Sequence, residues 1–175
     1  MSTPKPLIKG WRSLPNYGSH LPALIKCLSI TDGPVLEMGT GFNSTPVMHW
    51  MCASKKRRLL SLENEPTQHA QFAYFGNEWH EVALVSDWDA APIEQPWDVA
   101  LIDHHPGERR KFDAKRLAPF AKYVILHDCD GRDDHKYLYS QIYPFFKWRA
   151  HYGLYRPQTM VLSNSVDLTG FQPWL

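Results

Sequence analysis

From residue 35 onward, short apolar runs alternate with amphipathic stretches, and this alternation restricts the fold more than any other feature of the chain. Apolar runs bounded by turn residues predict strands at 35–38, 58–62, 82–85, 97–102 and 123–126. Helical spacing between them predicts helices at 44–53, 67–75, 108–120 and 133–145. Ser44 or Thr45 is a plausible N-cap for the first of these, and Pro46 suits its first turn. Strands whose residues are apolar on both faces need cover on both faces. The expected fold is therefore α/β, a doubly wound, mostly parallel sheet between two helical layers. A helix at 20–30, with Leu21, Leu24, Ile25 and Leu28 on one side, precedes the alternation. Two further strands, near 146–151 and 159–163, follow it. Residues 1–19 hold Pro4, Pro6, Gly10, Pro15 and Gly18 and predict an irregular arm, leaving 20–175 as one domain.

In such a sheet a ligand binds beyond the carboxyl ends of the strands, where the strand order reverses. The residues just after each strand are therefore the candidate site. They are Glu37 to Ser44, Glu63-Asn64-Glu65, Ser86-Asp87-Trp88, Asp103-His104-His105 and His127-Asp128-Cys129-Asp130. Every one of these junctions is polar. The first is the most specific. Gly39 and Gly41 permit a tight turn and close approach of a ligand to bare backbone, with Thr40 between them. The following helix, entered through Asn43 and Ser44, points N–H groups at that ligand. Glu37, just before the glycines, suits a cationic ligand and is awkward beside a pyrophosphate. Glu63 closes the second strand roughly 20 residues after the glycines, where an acid can accept both hydroxyls of a ribose.

With these residues the chain resembles the class I S-adenosylmethionine-dependent methyltransferases over about residues 20–165. Glu37-x-Gly39-x-Gly41 resembles the family's first motif and Glu63 its ribose-binding acid. The resemblance implies a seven-stranded, Rossmann-like sheet with a late antiparallel hairpin, and S-adenosylmethionine as cofactor. It implies cofactor contacts from Glu37, Gly39, Thr40, Gly41, Asn43, Ser44, Glu63, Asn64 and Asp103. Ser86, Asp87 and Trp88 would hold the adenine, with Trp88 covering the ring. Asn43 stands where the family often has a third glycine. Gly39-x-Gly41-x-x-Ser44 also lies close to the dinucleotide pattern, so an NAD(P)-binding Rossmann protein is one alternative. A protein that binds adenosylmethionine without methylating, or that serves as an interaction module, is another.

Methyl transfer needs alignment of nucleophile, methyl and sulfur, and often removal of a proton. The expected catalytic group is Asp103, His104, His105 and Asp128, with His127 and Asp130 in the same cluster. Asp103, Asp128 and Asp130 also resemble the magnesium ligands of metal-dependent small-molecule O-methyltransferases, although Cys129 interrupts the acid pair. Asp103-His104-His105-Pro106 lacks the Asn/Asp-Pro-Pro-aromatic motif of exocyclic-amine methylation, and no Pro-Cys nucleophile is present. This favours an oxygen or carboxyl acceptor, or an amine outside that subclass, over base methylation in DNA. Arg109, Arg110 and Lys111 could bind an anionic substrate group, and Tyr17 to His20 could fold over the methionine end of the cofactor. Lys55 to Arg58 reads as a solvated turn.

Lys+Arg 19 against Asp+Glu 18 gives a formal net charge of +1, so composition supplies no reason to expect a nucleic-acid partner. No apolar run nears the ~20 residues of a membrane span. The first residues lack the apolar core of a signal peptide. Cys27, Cys52 and Cys129 are too far apart to read as a disulfide framework. The expectation is a soluble cytoplasmic protein acting on a small molecule. Its acceptor pocket would come from the arm, the loops at 103–112 and 128–135, or another subunit of a homo-oligomer.

Overall fold

The computed structural model of the chain describes residues 17–172. Most of the arm expected at 1–19 lies outside that range. Seven strands form one sheet: β1 (Val35–Met38), β2 (Leu59–Glu63), β3 (His80–Leu84), β4 (Trp97–Ile102), β5 (Ala121–Leu126), β6 (Trp148–Tyr152) and β7 (Thr159–Ser163). Their order is β3-β2-β1-β4-β5-β7-β6. The first five pair in parallel. β7 runs antiparallel to β5 and to β6. The order reverses between β1 and β4, so the crevice of interest opens there.

Successive strand residues point to opposite faces, and the central strands are buried on both. Leu36, Met38, Ala100, Ile102, Val124 and Leu126 pack on one face with Ala114 and Leu117 of α4 (Arg110–Leu117). Val35, Leu59, Val99, Leu101 and Ile125 pack on the other. There they meet Leu24 and Leu28 of α1 (Leu21–Ser29) and Met48 and Cys52 of α2 (Ser44–Ala53). The helix α3 (Pro66–Phe72) follows β2. Among the described residues, no helix is long and apolar enough to cross a membrane.

Two local expectations are corrected. The helix expected at 133–145 is only α5 (Asp134–Tyr137), followed by short 3-10 turns at Tyr139–Gln141 and Tyr143–Phe145. Leu138 sits in the left-handed region at φ 55°, which ends the α-helix. Pro144 has no N–H to continue it. Tyr139 and Ile142 are thereby set into the core while Phe145 stays exposed. The second correction concerns the basic run. Arg57 is not solvated. Its guanidinium donates to the Leu28 carbonyl, left open at the end of α1, and to the Thr31 and Gly33 carbonyls of the loop that follows.

Candidate functional site

The turn after β1 is built around Gly39, which has φ +91°. A Cβ there would lie 2.7 Å from the backbone of His104 and 2.8 Å from Asp103 C. The exits of β1 and β4 therefore touch backbone to backbone, and only glycine fits between them. The N–H of Gly41 donates to Thr45 Oγ1 (2.9 Å), which donates in turn to Glu37. The Ser61 hydroxyl donates to the same carboxylate (2.6 Å) and lies 2.9 Å from His80, which meets His49 at 2.9 Å.

This corrects the role expected of Glu37. It is not at the mouth of the crevice but fully enclosed beneath α2 as the third residue of β1. Burial pushes its carboxyl up to about 7, against the pull of the Ser44, Ser61 and Thr45 hydroxyls. The native state thus holds this proton where the unfolded chain would release it. The resulting stability is fully present below the ordinary value of 4.5 and is lost as pH rises through about 7. His20 and His80, both lowered to about 4, work in the opposite sense at the acid end, so the variant must be compared with the wild type at each pH. The stability of Glu37→Gln relative to wild type is expected to rise by roughly 2–4 kcal/mol between pH 4 and pH 8. Denaturant melts across that range check it, and a pH-independent difference would place no titration at Glu37.

Glu63 ends β2, nearly buried, and is tied to the glycine turn. One carboxylate oxygen accepts from Thr40 N (2.9 Å) and Thr40 Oγ1 (3.0 Å). The other accepts from the backbone N–H groups of Asn64 (2.8 Å) and Glu65 (2.9 Å). Asn43 and Ser44 begin α2, with Asn43 half-buried and Ser44 buried, and neither side chain caps the helix. Ser86 and Asp87 are exposed, and Asp87 accepts from Asp89 N (2.9 Å). Trp88 does not stand over an open ring site. It is buried in the core, stacks on His104 at 4.2 Å and donates from its indole N–H to the His105 carbonyl. An indole gains more by leaving water than by covering an exposed turn.

Beyond β4 and β5 the structure gathers a charged cluster. Asp103, with its side chain 27% exposed, has one oxygen 3.0 Å from Arg110 Nη1 and the other 3.3 Å from His127 Nδ1. Arg110 Nη1 also reaches Asp128 at 2.9 Å, and Tyr137 OH donates to that same Asp128 oxygen (3.1 Å). Asp128 holds φ 60°, a left-handed position that Asp tolerates. On the far side of His127, Nε2 lies 2.9 Å from Ser19 Oγ, whose own proton goes to the Pro157 carbonyl (2.6 Å). His20 packs edge-on against His127, ring centroids 4.8 Å apart, and is 2% exposed. Neither of its ring nitrogens has a hydrogen-bond partner among the described residues.

The electrostatics follow from these contacts. Burial pushes the Asp103 carboxyl up, but the His127 hydrogen bond and the His127 and Arg110 charges outweigh it and hold the group at about 2. Burial would lower His127, yet Asp103 raises it. Burial, with His127 alongside, lowers His20 to about 4.

Several expected residues fall elsewhere. His104 is buried and turned away from the crevice, its Nε2 3.1 Å from Asp113. His105 is exposed and takes part through its carbonyl. Asp130 is buried, accepts from Gln158 N (2.8 Å) and lies 3.1 Å from Arg156. The magnesium set Asp103, Asp128 and Asp130 does not fit such an ion. The guanidinium of Arg110 already lies between the first two, and the third is committed to another loop. Arg110 itself, 3% exposed, is neither a surface residue nor free to grip a substrate. A depression of about 690 Å³ lined by Asp89, Glu94, Arg109, Phe112 and Arg116 includes none of the strand-end acids Glu37, Glu63, Asp103 and Asp128, and so is separate from the crevice.

Reading the sequence singled out Asp103, His127 and Asp128 and expected Tyr17 to His20 to fold over the methionine end of the cofactor, but it did not pair Ser19 and His20 with His127. The contact between Ser19 and His127 spans 108 residues, and no local pattern announces it.

No protein-family model matches the sequence, and no curated protein matches it. Solved structures do match in shape. An O-methyltransferase from Bacillus cereus in complex with SAH is similar over 84% of this chain and 80% of its own, with a TM-score of 0.57 and 14% identity. The METTL16 methyltransferase domain is similar over 90% and 70%, with a TM-score of 0.57 and 10% identity. The 23S rRNA methyltransferase ErmE is similar over 85% and 68%, with a TM-score of 0.54 and 17% identity. Likeness at such identities speaks for architecture alone, and on it and the strand order this chain has the Rossmann-like fold of the class I S-adenosylmethionine-dependent methyltransferases.

Proposed function

We propose that the chain binds S-adenosylmethionine in the crevice between β1 and β4 and transfers its methyl group to an oxygen or carboxyl group of a small molecule. The observation that carries this reading is the junction of the Gly39–Gly41 turn with Glu63, on a fold shared with methyltransferases. The donor set fits the cofactor. Of the donors on Glu63, Thr40 Oγ1 is a side chain and can rotate away, leaving room for a ribose hydroxyl. Thr40, Gly41, Asn43 and Ser44 line the turn, Asn64 adjoins Glu63, and exposed Ser86 and Asp87 lie on the adenine side. The cofactor supplies an electrophilic methyl on a sulfonium. The Asp103–His127 pair at the ends of β4 and β5 is the group available to receive the acceptor's proton, with Asp128 and Arg110 fixing Asp103.

The neighbours include enzymes named for O-methyl transfer and for ribosomal RNA, so the fold leaves the acceptor open. The acids Glu63, Asp87, Asp103 and Asp128 around the strand ends would repel a phosphate backbone, which supports a small molecule. One observation favours a second reading, a binding or interaction protein without transferase activity. Every lone-pair direction of Glu63 is already satisfied by the chain itself.

Calorimetric titration with adenosylhomocysteine and with NAD separates the ligands, and labelled methyl incorporation into a panel of hydroxyl and carboxyl acceptors separates the activities. Adenosylhomocysteine is expected to bind and NAD not to. Tight NAD binding without a response to adenosylhomocysteine would sink the proposal. Glu63→Ala should weaken adenosylhomocysteine roughly 10- to 100-fold, the loss of two hydroxyl contacts with some replacement by water. Because Glu63 also anchors three backbone N–H groups, Glu63→Gln is measured beside it with a thermal melt. Normal affinity in both variants would remove Glu63 from the site.

A further inference from the structure

We propose that His20, Asp103 and His127 form a binding site for a divalent transition-metal ion of the zinc class. The three side chains converge so that one ligand atom from each lies within 4.8 Å of the others. This set differs from the oxygen set that the sequence suggested. It does not rest on the methyltransferase reading, because it is argued from these three side chains and their neighbours alone.

Three observations carry it. The first is His20, 2% exposed with both ring nitrogens unpartnered among the described residues. A buried imidazole without partners loses its hydration and receives nothing in return from the chain, so its two nitrogens stand ready for a ligand. The second is the setting of His127. Its Nε2 is engaged by Ser19 Oγ at 2.9 Å, and its Nδ1 faces an Asp103 carboxylate oxygen at 3.3 Å. A partner on the other ring nitrogen is how proteins orient a metal-binding histidine. The third is the spacing. Two ligands about 2.1 Å from one tetrahedral ion are roughly 3.4 Å apart, which is the gap between His127 and Asp103. A shift of His20 by roughly 1–1.5 Å would complete the set.

The surroundings suit such an ion. Arg110 holds the other oxygen of Asp103 and directs the free one toward His127, while Asp128 balances the Arg110 charge. Two imidazoles and one carboxylate select zinc, iron or manganese over magnesium, which prefers an all-oxygen shell. Three protein ligands leave a coordination position open, and Asp103, the exposed member, puts it on the crevice side.

The test uses the full chain stripped with a chelator and titrated by calorimetry with Zn²⁺, Mn²⁺ and Mg²⁺ in the absence of cofactor. One Zn²⁺ per chain is expected, with no measurable Mg²⁺ binding. His20→Phe refills the same buried space without a ligand atom and should weaken Zn²⁺ roughly 10²-fold or more, at least the effect of losing an outer partner. His127→Gln, checked for folding by circular dichroism, should do the same. Visible absorption of the Co²⁺ form should be lost in both variants. Absence of stoichiometric Zn²⁺ binding, Mg²⁺ binding in preference to Zn²⁺, or unchanged Zn²⁺ affinity in both variants would overturn the proposal. Because cofactor titration is a separate measurement, failure here leaves the methyltransferase reading standing, and the reverse holds too.

Discussion

Gly39→Ala should destabilise the fold by roughly 2–5 kcal/mol. The positive φ accounts for about 1–2 kcal/mol and the overlap with the β4 exit for about 1–3 kcal/mol. The overlap cannot be relieved by a side-chain rotation, since the atoms 2.7 Å away are backbone atoms of His104. A domain is stable by only about 5–15 kcal/mol, so much of the margin is at stake. The expected fall in melting temperature is roughly 4–20 °C. Gly41→Ala is the control, because its new Cβ would meet only the Ser44 hydroxyl at 3.3 Å. Calorimetric melts of the two variants check the contrast. Equal stability would mean that the β1 and β4 exits do not touch as described.

Asp103→Asn is expected to lower methyl transfer by 10²-fold or more, in the range for removing a general base. The change keeps the shape and removes the charge that raises His127 and that Arg110 neutralises. Adenosylhomocysteine affinity should change less, because the cofactor contacts proposed at Glu63 and the glycine turn are untouched. The two effects are separated by measuring turnover and affinity on the same preparation. A pH profile adds a readout that misfolding would not mimic. His127 is raised by Asp103, so its titration should move to lower pH in the variant. Unchanged turnover would put the chemistry at another edge of the crevice.

The alternation of strand and helix was legible because it depends on near neighbours. The runs 35–38 and 97–102, apolar except for Glu37 and Asp98, need cover on both faces, and a parallel sheet with helices on each side provides it. The glycine turn was legible for the same reason, since a tight strand-to-helix turn leaves a local mark. Glu63 could be placed by its distance along the chain from that turn. The late hairpin came from the family resemblance, and β6 and β7 occupy that place.

Side-chain direction was not legible. Glu37 follows the strand period into the interior, where the Thr45 and Ser61 hydroxyls donate to its carboxyl group, although its neighbours suggested a ligand. His104 and His105 are adjacent, yet one is buried against Asp113 and the other exposed, because the chain leaves β4 between two layers. Arg110 looked like one of three surface cations until the packing of α4 turned it inward to Asp103 and Asp128.

The sequence by itself determined the class of fold, the glycine turn and the acids that stand at the strand ends. Only the tertiary structure decided which partner each acid meets. It brought Ser19 and His20 from before the first helix to His127 after the fifth strand. Periodicity reports burial over one or two turns of chain, whereas a buried polar pair forms wherever the fold leaves two unsatisfied groups within reach. That distance is set by strand order and layer packing, which no single stretch of residues carries.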